Sequence, residues 1–118
     1  MTVQIDLDRV EKRVLLDIID THGNVARNKR NKLGFFSFSE KHEVDEFLDL
    51  IKEVYMTVRI TIDDDGEMYF PDAIAYALQS IITAEMQYVK FGQGTINNVN
   101  PDIFTKIIDQ VMLNPRFA

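Results

Sequence analysis

Apolar residues return at helical spacing along four stretches of the chain. Over residues 6–22, Leu7, Val10, Val14 and Ile18 fall on one face, and Leu15 and Ile19 widen it. Asp6 is placed to cap this helix, and Asp8 and Lys12 form a favourable i,i+4 pair. His22 and Gly23 read as its end, a cation suiting the C-terminal dipole and a glycine accepting the left-handed conformation beyond it. A second helix is expected over 40–55, capped by Ser39. Val44, Phe47, Leu48, Ile51 and Tyr55 line one side, and Glu40, Glu43, Asp45, Glu46 and Asp49 the other. A third opens at Pro71 and runs to about Lys90, stopping near Gly92. A fourth follows Asn100-Pro101, presents Ile103, Phe104, Ile107, Ile108, Val111 and Met112 as its stripe, and ends at Asn114-Pro115.

From residue 54 the pattern reads with a period of two. Val54, Met56, Val58, Ile60 and Ile62 alternate with Tyr55, Thr57, Arg59 and Thr61, as a strand with one buried face would. "DDDG" at 63–66 then forms the turn and "EMYF" the return strand. Face parity favours a loop of Asp64, Asp65 and Gly66 with Gly66 in the left-handed region, setting Ile62 opposite Met68 and Ile60 opposite Phe70. "FFSF" at 35–38 alternates like a short strand. These elements predict an α+β fold: about four helices with a small antiparallel sheet built around a β-hairpin near residues 54–70, all in a single globular domain, 1–118. A ferredoxin-like core is the alternative, and it needs a further strand near 95–99, where the asparagine-rich composition argues against one.

Composition supports a folded domain. The chain has 118 residues, 46% of them hydrophobic and 27% charged, which is enough apolar surface to offset chain entropy. Cysteine is absent, which excludes disulfides, thiolate zinc sites and cysteine nucleophiles. The opening "MTVQIDLDRV" lacks the basic-then-apolar pattern of a signal peptide, and no run approaches the ~18 apolar residues of a membrane span. A cytoplasmic protein with no membrane partner is the expectation.

Charge divides the chain. The net charge is −6, and Arg27, Lys29, Arg30 and Lys32 are packed into six positions, so the rest carries −10 once those four are subtracted. The cluster is either a solvated connection or a contact for phosphate or an acidic partner; it has no aromatic residue among its cations to stack a base. The surrounding "LLDIIDTHGNVARNKRNKLGF" resembles a helix-turn-helix in its Gly-Asn turn. It departs from that pattern where Asn28 and Lys29 replace small residues and where an acidic helix follows. At the turn, Asp63, Asp64, Asp65 and Glu67 crowd four carboxylates together, and Asp63, Asp65, Gly66 and Asp72 fall at EF-hand positions. Thr61 at the first position and the absence of a final glutamate leave a plain turn as the better reading.

Catalytic chemistry finds no motif. His22 and His42 are the only histidines, and neither a Gly-x-Ser-x-Gly elbow nor a His-Glu-x-x-His helix is present. No catalytic residue, metal ligand or cofactor is assigned. Residues 73–84 carry no charge, so that helix is either the centre of the core or shared between two copies. In the second case a homodimer forms through helix 73–90 with Tyr76 and Tyr88 as anchors. Size and acidity resemble those of phage-encoded inhibitors, anti-defence proteins and immunity proteins. That resemblance implies a small non-enzymatic module that occludes another protein's surface through Glu43, Glu46, Asp49, Asp63, Asp64, Asp65 and Glu67. The alternative is a nucleic-acid-associated module using the basic cluster 27–32.

Overall fold

The computed structural model describes residues 2–34, 38–90 and 101–112. The elements run β1 (Thr2–Leu7), α1 (Arg9–Lys32), α2 (Phe38–Ile60), β2 (Gly66–Pro71), α3 (Asp72–Lys90) and α4 (Pro101–Met112). The fold is α+β, four helices against one two-stranded antiparallel sheet.

The sheet differs from the expected hairpin. In β1, Val3, Ile5 and Leu7 are buried and alternate with exposed Thr2, Gln4 and Asp6. This strand pairs with β2, bringing Val3 opposite Phe70 and Ile5 opposite Met68. Residues 54–60 are helical, so the proposed partners Ile60 and Ile62 are not in the sheet. The helical period wins because Phe47, Ile51, Val54, Val58 and Ile62 also recur at steps of three and four. Of these, Ile51, Val54, Val58 and Ile62 are buried, whereas Met56 and Ile60, which a strand would have put on the same face, are exposed. The turn does place Gly66 at positive φ, +113°, as the loop chemistry predicts.

α1 also exceeds its expected length. Its cap is Asp8 rather than Asp6, in a reciprocal capping box: Glu11 N donates to the Asp8 carboxylate at 2.8 Å and Asp8 N to the Glu11 carboxylate at 2.8 Å. The helix continues through His22 and Gly23 to Lys32, so residues 22–24 form no turn and the helix-turn-helix reading fails. Gly23 is instead a buried interior residue facing Ile51 of α2. α2 starts at Phe38, which places Ser39 inside the helix and removes Phe38 from the expected strand; residues 35–37 lie outside the described residues. The helix stop near Gly92, the 92–100 loop, the Asn100 cap and the Asn114-Pro115 end also lie outside them.

One apolar cluster joins all six elements. Val3, Ile5, Leu7, Met68 and Phe70 from the sheet meet Leu15, Ile18 and Ile19 of α1, Ile51, Val54 and Val58 of α2, Leu78, Ile81 and Ile82 of α3, and Phe104, Ile107 and Val111 of α4. Of the stripe read from its sequence, α4 buries Phe104, Ile107 and Val111 and packs Ile103, Ile108 and Met112 partly buried against the core. The main-chain N–H of Asp6 donates to the side-chain oxygen of Gln110 at 3.1 Å, tying β1 to α4. Among the described residues, no helix is long and apolar enough to cross a membrane.

Candidate functional site

The acidic residues divide into two groups with different surroundings. Asp63, Asp64 and Asp65 lie on the turn between α2 and β2, and the first turns of α1 clasp that turn. Arg9 donates its main-chain N–H to Asp65 at 2.9 Å and holds its Nε 3.4 Å away, while Arg13 reaches Asp63 at 3.4 Å. The main-chain hydrogen bond from Arg9 is the chief cause holding the Asp65 carboxyl below its ordinary 3.8; slight desolvation opposes it and the Arg9 charge adds to it. Lys12 is fully buried beneath the same turn and donates to the carbonyl oxygens of Thr61 and Asp64. Next on the chain, Glu67 accepts a hydrogen bond from the Tyr69 hydroxyl, which pushes that phenol above its ordinary 10.0. Asp63 and Asp65 are thus engaged by α1, while the Asp64 carboxylate forms no ion pair among the described residues.

The basic cluster is the last two turns of α1, and α2 runs back alongside it. Arg30 Nε reaches Asp45 at 2.9 Å, and Arg27 donates to Asn24 on its own helix. Arg27 and Asp49 line one groove of the α1–α2 pair, together with Ile19, Gly23, Ile51 and Tyr55. Cluster and acidic helix are separate candidates in the sequence; the structure brings them together and pairs Arg30 with Asp45. Lys29 and Lys32 remain exposed.

The outward side of α2 carries a continuous exposed stripe. His42, Glu46, Asp49, Glu53, Met56 and Ile60 follow at alternating steps of four and three, which sets them along one line of the helix. Glu46 pairs with His42 at 3.0 Å. Among the described residues, neither Asp49 nor Glu53 nor neighbouring Glu43 forms an ion pair. Glu46, Asp49 and Glu53 surround a shallow notch with Leu50 at its base. The stripe ends on Met56, 47% exposed, and Ile60, 76% exposed, so an acidic half joins an apolar half. From Glu46 to Ile60 the line measures about 21 Å at 1.5 Å per residue.

A second concavity opens where α1, α2 and α3 meet. Its lining includes Val25, Ala26, Val44, Phe47, Ile81 and Ala84, with Lys29 and Glu43 at the sides and His22 among the buried groups. His22 Nε2 lies 2.9 Å from Glu85 of α3, and both side chains are almost fully buried. By its following glycine His22 reads as a helix end in the sequence, and no motif marks Glu85. The available signal was that Glu85 falls in register with Leu78, Ile81 and Ile82 on the apolar side of α3.

The uncharged segment of α3 is two-sided. Ala75, Ala77, Leu78, Ile81 and Ile82 enter the core, while Ala73, Tyr76, Ser80 and Thr83 are exposed. The Tyr88 side chain lies outside the described residues. No family model matches the chain, and searches of curated proteins and of solved structures find no match for it.

Proposed function

We propose that the protein is a non-enzymatic binding module that docks another protein on the outward stripe of α2. In this reading it acts as a small inhibitor or immunity-type protein does, by covering a partner's surface. The observation that carries it is the contrast between the two acidic groups: Asp65 and Asp63 pair with Arg9 and Arg13, whereas Asp49 and Glu53 form no ion pair among the described residues and lead into exposed Met56 and Ile60. Carboxylates on such a face steer a cationic partner, and the apolar end supplies the desolvated contact that charge alone does not. The complementary surface is basic over one half and apolar over the other. Of the residues read from sequence, Glu46 and Asp49 belong to this face and Glu43 flanks it, while Asp63, Asp64, Asp65 and Glu67 lie on or beside a separate acidic turn, where Asp63 and Asp65 pair with arginines of α1.

A lysine-rich amphipathic helical peptide is a suitable probe. Fluorescence anisotropy with the full chain is expected to give saturable binding that weakens with added salt, falls on reversing Asp49 and Glu53 to lysine, and falls again with Ile60→Asp. The variants Asp63→Asn and Lys32→Ala should bind as the parent does. Equal binding by the charge-reversed protein overturns the reading. Salt-sensitive retention on nucleic acid, abolished by alanine at Arg27, Lys29, Arg30 and Lys32, favours the nucleic-acid alternative instead. Light scattering on the same samples tests self-association through the exposed side of α3.

A further inference from the structure

We propose that the cleft between α1, α2 and α3 binds a small zwitterion with an apolar body, the chemistry of a free hydrophobic amino acid. The cleft has a volume of about 360 Å³. That lies at the small end of the range typical of ligand sites. Val25, Ala26, Val44, Phe47, Ile81 and Ala84 provide walls suited to an aliphatic or aromatic group.

Charge at the cleft selects the ligand further. Lys29 from α1 and Glu43 from α2 both line it and both are exposed. They form no ion pair with each other or with any other described residue. A simple carboxylic acid satisfies Lys29 and leaves Glu43 facing its apolar body; a simple amine does the reverse. A molecule carrying both an ammonium and a carboxylate meets both. A nucleotide needs more cationic groups than one lysine, and a fatty acyl chain has no ammonium to meet Glu43.

Two polar side chains, His22 and Ser80, also line the cleft. His22 is 7% exposed, and its ring is held by the 2.9 Å contact with buried Glu85, so the couple fixes α1 against α3 below the cleft. In the same lining, the Ser80 hydroxyl donates to the Tyr76 carbonyl at 3.0 Å, leaving its oxygen able to accept. An apolar cavity with a few fixed polar groups is the arrangement that orients a small ligand rather than merely absorbing it. This site shares only the flanking Glu43 with the surroundings of the α2 stripe, and none of the stripe residues Asp49, Glu53 and Ile60 that the docking test alters, so the two readings fail separately.

The test is an NMR titration of the full chain, following main-chain amide signals, with L-phenylalanine, L-leucine, hydrocinnamate and phenethylamine. The amino acids are expected to give saturable shifts centred on Val25, Ala26, Phe47 and Ala84. The two single-charge analogues should bind about threefold to tenfold more weakly, the scale of one partly exposed charge contact. Lys29→Met should remove the advantage of phenylalanine over phenethylamine, and Glu43→Gln its advantage over hydrocinnamate. Both residues are exposed, so an unchanged melting temperature is expected to accompany the loss. No saturable shift from either amino acid, analogues that bind as well as phenylalanine, or shifts confined to the outward side of α2 would each overturn the proposal.

Discussion

The ammonium nitrogen of Lys12 lies 2.6 Å from the carbonyl oxygen of Asp64, with the carbonyl of Thr61 at 3.0 Å. A fully buried lysine on α1 thereby accepts the chain as it leaves α2, while Asp65 of the same turn accepts from Arg9 at the start of α1. The two helix ends close each other, and the exchange sets where β2 begins and so where it meets β1. Lys12→Met keeps the apolar stem and removes the donor. The Asp64 carbonyl then loses its described partner, whereas that of Thr61 still accepts from Asp64 N. The expected cost is about 1–3 kcal/mol, read as a lower urea midpoint with an unchanged denaturant slope.

Helix number and fold class were legible because three of the four helices have stripes that only a 3.6-residue period explains. The hairpin was misread because 54–62 satisfies both periods: Val54, Val58 and Ile62 belong to a helix stripe, and Met56 and Ile60 complete an alternation. What separates them is the partner strand, and Val3-Gln4-Ile5-Asp6-Leu7 lies more than fifty residues away. That strand alternates plainly, but Asp6 and Leu7 also suit a helix start, and the helical reading absorbed them. The stripe on α2 depends on the helix running to Ile60, since a strand over 54–62 sets Met56 and Ile60 on its buried face. The His22–Glu85 contact spans 63 positions and no local pattern announces it.

Two glycines should respond in opposite directions to alanine. At Gly23 a Cβ would meet Ile51 at 3.5 Å, an ordinary van der Waals distance, inside a regular helix. Gly23→Ala is therefore expected to stabilise the protein by about 0.5–1 kcal/mol through reduced freedom of the unfolded chain. Gly66 has φ of +113°, which side chains resist even though the space around it is open. Gly66→Ala should cost about 1–3 kcal/mol. Thermal melts of the two variants check the pair together, and a loss of stability at Gly23 would mean that α1 and α2 cannot yield at Ile51.

His22 and Glu85 should prove energetically coupled. Each is buried and lies 2.9 Å from the other, so replacing one leaves a polar group of its partner without that contact in the interior. Single variants His22→Phe and Glu85→Leu are each expected to lose about 1.5–3 kcal/mol. The double variant should lose less than the sum, with a coupling of about 0.5–3 kcal/mol in a double-mutant cycle. Additive losses would assign the damage to packing and reduce the contact to an incidental one.

Acid sensitivity should be traceable in part to Asp65. Its carboxyl is held below the ordinary 3.8, first by the Arg9 main-chain N–H and then by the Arg9 charge. A carboxylate with a depressed pKa in the fold takes up its proton first in the unfolded chain. Its contribution is therefore complete above the ordinary value, and it disappears as the pH falls below that value and through the folded one. Asp65→Asn retains an oxygen acceptor for Arg9 but cannot titrate. Urea midpoints measured from neutral pH down to about pH 3 should decline less steeply for Asp65→Asn than for the parent below about pH 4, where an unperturbed carboxylate begins to protonate. The other carboxylates titrate in both proteins and cancel in the difference. Parallel declines would mean that the α1 N-terminus gains nothing from the charge on Asp65, leaving Lys12 as the residue that holds the turn.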